Sequence, residues 1–297
     1  MSQVARTRMV HGRRVSRLVA VRPDDVPAPD TDTDSQYETA DIPAVIDRPL
    51  RWWRELLLAS IFYAVYSFVR NTQGSAMVSR AVAEANALRI ITVEQFFGVY
   101  HERWLQQLFV GAQPSMVVWN FFYGTFHFVV TAFVLVFLFR RFPERYRVWR
   151  NALAATTALA LIGFAMYPLL PPRLLPSSHG FIDSLKVYGS LWSFDSGSMQ
   201  VISNQYAAMP SLHFAWSLWS GLALFPVLRR PWAKVLAVLY PVLTLLAIVI
   251  TANHFILDAL AGAVALGGGW LLGRAMYRRS LGSARRRPVA IAATSPD

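Results

Sequence analysis

Six stretches of mostly apolar residues, at about 52–69, 116–139, 151–170, 210–228, 232–252 and 254–273, constrain this chain more than any other feature. A helix needs roughly 20 such residues to cross the hydrocarbon of a bilayer, where water cannot satisfy a bare backbone. Composition agrees: 55% hydrophobic and 15% charged residues, with positive mean hydropathy, are too apolar for a soluble domain of 297 residues. The expected fold is therefore all-α, a polytopic membrane helical bundle with six transmembrane helices, of which the first is the weakest by hydropathy. From Glu84 to Phe109, apolar residues at helical spacing oppose Glu94, Glu102, Arg103, Gln106 and Gln107. That pattern predicts an amphipathic helix lying in the membrane interface, or one packed on the bundle.

The flanks differ from this middle. Residues 1–48 combine Arg13, Arg14 and Arg17 with an acidic run from Asp24 to Asp41 and several prolines, without the apolar periodicity that sustains a core. They are expected to be a disordered cytoplasmic tail. No apolar stretch precedes a small-residue cleavage site, so the first span is expected to be retained. Residues 49–275 form the six-helix domain and residues 276–297 a basic cytoplasmic tail.

The formal charge of +12 could point to nucleic acid, but its arginines gather in short connections between apolar spans. Arg140, Arg141, Arg145, Arg147 and Arg150 follow the second span, Arg229, Arg230 and Lys234 the fourth, and Arg274, Arg278, Arg279, Arg285, Arg286 and Arg287 the sixth. These connections alternate with one at about 171–209 whose only bases are Arg173 and Lys186, and with Thr251 to Asn253, which carries none. Positive connections stay inside. Both termini are thus expected in the cytoplasm, the protein in the plasma membrane, and the end of span three with the starts of spans four and six on the outer face. The bilayer and a lipid substrate, with no nucleic acid, are the expected partners. Cysteine is absent, which excludes disulfides, thiolate nucleophiles and cysteine-ligated metal centres; no metal and no cofactor are expected.

Four reactive side chains, Arg173, His213, His254 and Asp258, converge on that outer face. Titratable groups are costly at membrane depth and mark functional sites by default. His254 and Asp258 are four apart, hence on one helical face, where a carboxylate can hold one ring nitrogen as N–H and leave the other nucleophilic. The same pair could equally lock two helices together. Pro210-Ser211-Leu212-His213 opens a helix whose unsatisfied N–H groups make an anion site, with His213 placed to protonate a leaving oxygen. Arg173, after Pro171-Pro172, offers a permanent cation with a bidentate fork for phosphate, or anchors the span. Pro176-Ser177-Ser178-His179 repeats the Pro-Ser-x-His form but runs into Gly180 and a polar loop, so the acid role falls to His213. Asn120, Tyr123 and His127 make a polar stripe on span two that either lines a substrate cavity or bonds to a neighbouring helix. Trp52, Trp53, Trp119 and Trp232 read as interfacial anchors.

Pro210-Ser211-Leu212-His213 with His254-x-x-x-Asp258, each at the start of an apolar helix, resembles the second and third signatures of the type 2 phosphatidic acid phosphatase superfamily. The longer run Tyr206 to His213, with Pro171-Pro172-Arg173 upstream and Asn253-His254 downstream, is similar to the branch of inositol phosphorylceramide synthases. The resemblance covers roughly 94–273. It implies a metal-independent phosphohistidine mechanism: His254 as nucleophile, Asp258 orienting it, His213 as general acid, Arg173 and Ser211 holding phosphate, and Asn253 beside His127 and Tyr123 along the cavity. Three positions depart from the usual pattern: Met166 stands for a lysine, Leu174 for a proline and Ile248 for an arginine, so two phosphate cations are missing.

The function expected is a membrane lipid phosphotransferase or lipid phosphatase working at the extracytoplasmic face. The alternative is a proton-coupled transporter using His127, His254 and Asp258 as a relay. A non-catalytic scaffold acting through the tails ranks last.

Overall fold

The computed structural model describes residues 3–10, 13–20, 50–72, 79–189 and 206–285, with side chains over 50–68, 79–189 and 206–281. It divides into two units, Met1–Arg48 and Pro49–Asp297. In the first, β1 (Gln3–Val10) pairs antiparallel with β2 (Arg13–Ala20), Val10 opposite Arg13. Regular structure was not expected there. Antiparallel pairing of two neighbouring strands is a local backbone pairing that needs no core, which is why apolar periodicity gave no sign of it. The acidic run of the tail lies outside the described residues, as do residues 286–297 of the basic one.

The second unit is built of helices: α1 (Trp52–Thr72), α2 (Arg80–Phe96), α3 (Glu102–Val110), α4 (Gln113–Arg141), α5 (Pro143–Met166), the short α6 (Ser184–Tyr188), α7 (Leu212–Leu224), α8 (Pro231–Ile250) and α9 (Ile256–Arg285). Proline punctuates them as its missing N–H dictates: Pro114, Pro143 and Pro231 each stand in the first turn of a helix. Four helices are long and apolar enough to cross a membrane: α4, α5, α8 and α9 through Leu281. Large apolar side chains cover their outer surfaces, among them Val118, Phe128, Phe133, Val235 and Val264. In water such a surface would aggregate; against acyl chains it is the expected solvent face.

The expected spans at 52–69 and 210–228 are not among these four. Helix α7 has 13 residues, about 20 Å at 1.5 Å per residue, and stops at Leu224 ahead of Pro226. The expected span at 151–170 shifts towards its basic end, because Pro143 opens α5 and Tyr167 closes it. There Arg150 pairs with Glu55 and the Tyr146 hydroxyl donates to the same carboxylate at 3.0 Å, so α5 carries its polar start against α1.

The expected amphipathic helix needs correction on two counts. It is broken into α2 and α3 by a turn in which Gly98 adopts φ +68°, and three of its five polar residues turn inward while Arg103 and Gln107 stay exposed. Glu94, Glu102 and Gln106 are fully buried, whereas Phe96 is 82% and Trp104 60% exposed. Packing on the bundle has won over an interfacial position with polar residues outward, because the carboxylates and amide find backbone partners inside. Gln106 mimics a strand, donating to Ile182 O at 2.8 Å and accepting from Ile182 N at 2.9 Å.

Small residues set how closely the central helices approach. A Cβ on Gly269 would meet Thr156 N at 2.6 Å, and one on Gly273 would meet Ala152 N at 2.5 Å. The Gly-x-x-x-Gly spacing thus lets α9 lie backbone to backbone on α5, as such pairs do in membrane helices. Three apolar clusters result, the smallest of them around Ile248, Val249 and Ala259. Of the two larger, one, near the α5 C-terminus, joins Ala83, Ile90, Leu169, Leu170, Ala252 and Phe255; the other, near the basic ends, joins Val134, Leu138, Tyr146, Trp219 and Leu266.

Candidate active site

The C-terminal ends of α5 and α8 and the N-terminal ends of α7 and α9 meet at one end of the bundle. Antiparallel packing of successive helices brings about what no local stretch of sequence could. The segment after α5 is pinned there by backbone bonds: Leu169 N donates to Tyr206 O at 2.8 Å, Leu170 N to Ala83 O at 3.1 Å and Arg173 N to Ala252 O at 2.8 Å.

Between α8 and α9 the chain turns through Thr251 to Phe255, with Ala252 at φ +53°, a conformation costly for a residue with a Cβ. His254 therefore precedes α9 instead of lying in it, and Asp258 reaches back from the first turn. Its Oδ2 accepts the Phe255 N–H at 3.0 Å and the His254 Nδ1–H at 3.2 Å. This is half of a capping box, the acid at the third helical position closing on the N–H of the capping residue. Asp258 is wholly buried and His254 nearly so. With Nδ1 held as donor, the lone pair of His254 stands on Nε2.

That Nε2 lies 3.4 Å from His213 Nδ1, within hydrogen-bond reach, and the two ring centroids are 5.4 Å apart. His213 sits two residues beyond the cap of α7. Ser211, fully buried, caps that helix by accepting the Phe214 N–H at 3.4 Å, and its own N–H donates to Asp258 O at 2.9 Å. A Cβ on Gly262 would come within 2.5 Å of Ser211 O, so only glycine admits the start of α7 against α9 at this distance.

Arg173 stands in a short turn, Pro172–Leu174. Its Nε donates to Asn253 Oδ1 at 2.9 Å and its Nη1 to Asp183 Oδ2 at 2.9 Å, an ion pair that leaves part of the fork uncommitted to these two. Asn253 is fixed in turn by donating to Thr251 Oγ1 at 2.9 Å, which ties the guanidinium to the turn that carries His254.

The polar stripe on α4 divides. Asn120, buried, donates to Ser184 O and Gly189 O at 2.9 Å each and so holds the 176–189 segment. Tyr123 and His127 belong to the imidazole cluster instead: Tyr123 stacks on His213 with centroids 4.3 Å apart, and His127 lies edge-on to His213 at 4.2 Å. His127 Nδ1–H donates to Tyr123 O at 3.0 Å. His179 lies on a turn, Ser177–His179, away from these contacts. The third imidazole beside His213, and the pairing of Arg173 with Asp183, were not anticipated as contacts; the α4 stripe was the signal for the first, and no spacing rule signals the second. No cluster of metal-ligating side chains occurs among the described residues.

A buried imidazole–carboxylate pair whose second ring nitrogen meets another imidazole thus stands at the end of a bundle with four helices long and apolar enough to cross a membrane. The chain belongs to the PAP2 superfamily, whose family model matches residues 88–272. Members of that superfamily are phosphoesterases, so membership suggests a phosphatase or phosphotransferase acting on lipid-like phosphate esters. No curated protein and no solved structure matches the chain.

Proposed function

We propose that this protein is an integral-membrane lipid phosphotransferase or lipid phosphatase that works through a phosphohistidine on His254. The observation that carries the reading is the relay Asp258 Oδ2, His254 Nδ1, His254 Nε2, His213 Nδ1, with steps of 3.2 Å and 3.4 Å across its two hydrogen-bond contacts. A nucleophile, the group that orients it and a proton donor stand in one line.

The steps follow from those roles. His254 Nε2 attacks phosphorus, the bond from phosphorus to the leaving oxygen breaks, and that oxygen takes a proton from His213. Asp258 retains the Nδ1–H and offsets the positive charge on the phosphorylated ring. An incoming hydroxyl then gives its proton to His213 as its oxygen attacks phosphorus, the P–N bond breaks and His254 is restored. Arg173, aimed by Asn253, holds the phosphate oxygens, with Ser211 at the foot of α7; Tyr123 and His127 wall the far side of His213. The hydroxyl is water in a phosphatase and a lipid alcohol in a transferase. The run from Tyr206 to His213, similar to the inositol phosphorylceramide synthase branch, favours transfer of a phospho-headgroup between lipids.

Helix α1, 21 residues or about 31 Å long, has exposed Leu56, Leu57, Leu58, Ile61 and Val65 and is read as a fifth crossing, with α7 and its flanks as a sixth. The basic ends of α4, α5, α8 and α9 then face the cytoplasm and the imidazoles open on the outer leaflet of the plasma membrane.

The test is turnover of phosphatidic acid and of a polyprenyl diphosphate by the purified full chain in EDTA. Activity is expected to survive chelation and to fall by at least about 10³-fold in His254→Ala, in keeping with loss of a nucleophile. Full activity in that variant overturns the phosphohistidine.

A further inference from the structure

Two carboxyl groups that the mechanism does not use lie directly behind its nucleophile. Glu94, near the end of α2, accepts the Leu257 N–H at 2.8 Å, and Glu102, at the start of α3, accepts the Ile256 N–H at 2.9 Å, each through Oε1. With Asp258 on the Phe255 N–H, three carboxyl groups take three successive N–H groups at the mouth of α9. A free helix mouth would need solvent or ligand partners for these donors; here the protein supplies all three, each wholly buried.

The second oxygens complete the argument. Among the described residues, Oε2 of Glu94 and Oε2 of Glu102 have no donor, although both are buried and the two side chains lie within hydrogen-bond reach of each other. Two ionised carboxylates so placed would repel and leave both oxygens unsatisfied, whereas one proton between them turns one oxygen into a donor for the other. We propose that Glu94 and Glu102 are positioning residues for His254, an acid pair sharing one proton that grips the first turn of α9 by the Ile256 and Leu257 N–H groups. The inference deepens the phosphohistidine reading and rests on it.

The charged neighbours agree. Burial first, and then the adjacent Glu102, push the Glu94 carboxyl up to about 9, with Asp258 of α9 adding to the shift against the Leu257 N–H. Tyr100, in the turn between α2 and α3, is likewise raised by burial and by both carboxyls, with Arg103 of α3 opposing. A carboxyl raised in the folded state from 4.5 to about 9 contributes its full stability only below 4.5; that contribution falls away as pH climbs between the two values, and near 9 the proton itself leaves. Loss of the shared proton then sets two buried charges against each other beside Asp258, and the first turn of α9 loosens.

The experiment uses the full chain in detergent with phosphatidic acid as substrate. Glu94→Leu and Glu102→Leu are expected to lower kcat by at least about tenfold with KM little changed, the effect of a misplaced nucleophile. They should also speed amide exchange in the peptide spanning residues 254–260. Glu94→Gln, which keeps a donor between the two side chains, should restore most of the rate. It should also abolish a fall in rate near pH 9 that wild type and Tyr100→Phe both show. Wild-type kcat and exchange in both leucine variants, or the same alkaline fall in Glu94→Gln, overturns the proposal. Exchange needs no turnover, so an active His254→Ala defeats the phosphohistidine while the exchange result still judges the acid pair.

Discussion

His254 is fixed by neighbours on its own turn and on the first turn of α9. Asp258 sets the tautomer, the turn at Ala252 sets the ring's direction, and Asn253 shares that turn with Arg173. Arg173 is held to that same turn by the Asn253 amide and the Ala252 carbonyl, while Asp183 takes its Nη1. Asn253→Ala is expected to free the guanidinium from its Nε anchor and to raise KM for a phosphate ester about tenfold, as loss of a charge-assisted bond does. The measurement is a KM and kcat comparison, and the rise in KM should exceed any fall in kcat. Met166 and Ile248, where the resemblance leads one to expect cations, offer none: Ile248 is wholly buried in apolar packing of α8. Under the proposed mechanism Arg173 then has to carry more of the phosphate charge, which sharpens the expected effect.

At the scale of elements, closeness between helices is what brings the imidazoles together. Helix α7 starts against α9 where Gly262 leaves room for the Ser211 carbonyl, and Ser211 N–H bonds to Asp258 O across the same gap. A side chain at Gly262 must push α7 away and lengthen the 3.4 Å contact between His254 and His213. Gly262→Val is expected to cost about 1–3 kcal/mol of stability, the usual effect of overpacking, and to lower kcat by more than tenfold. Thermal unfolding and turnover in detergent measure the two. The Gly269 and Gly273 contacts lie far along α9, so a substitution there should cost stability with a smaller loss of rate. These glycines were not singled out from the sequence, and which helix they meet is decided by packing alone.

For the whole molecule, polarity runs from end to end. The basic connections after α4 and before α8, and the last turns of α9, lie at the ends opposite to those that carry Arg173, His213 and His254. Because the chain has no cysteine, single cysteines report on this directly. In cells, a membrane-impermeant maleimide is expected to label Ser178→Cys and to spare Arg230→Cys until the membrane is opened. The reverse pattern would turn the site to the cytoplasm. Both positions are exposed and outside the helices long enough to span, so neither change disturbs packing.

Apolar run length by itself pointed to a bundle of helices, four of them long and apolar enough to cross a bilayer, because the bilayer imposes one simple requirement on any segment that crosses it. The motif spacing also picked out His213, His254, Asp258 and Arg173, since helical ends and four-residue intervals are local geometry. Local rules failed where a partner distant in sequence decided the outcome. Glu94, Glu102 and Gln106 read as a polar outer face, yet tertiary packing turned them inward, because the backbone N–H groups of α9 and of the 182 segment satisfy them better than the apolar side of the helix could be hidden. The 3.4 Å approach of two rings 41 positions apart was likewise decided by helix packing, which depends on how whole surfaces of α7 and α9 fit and not on any residue's own preference.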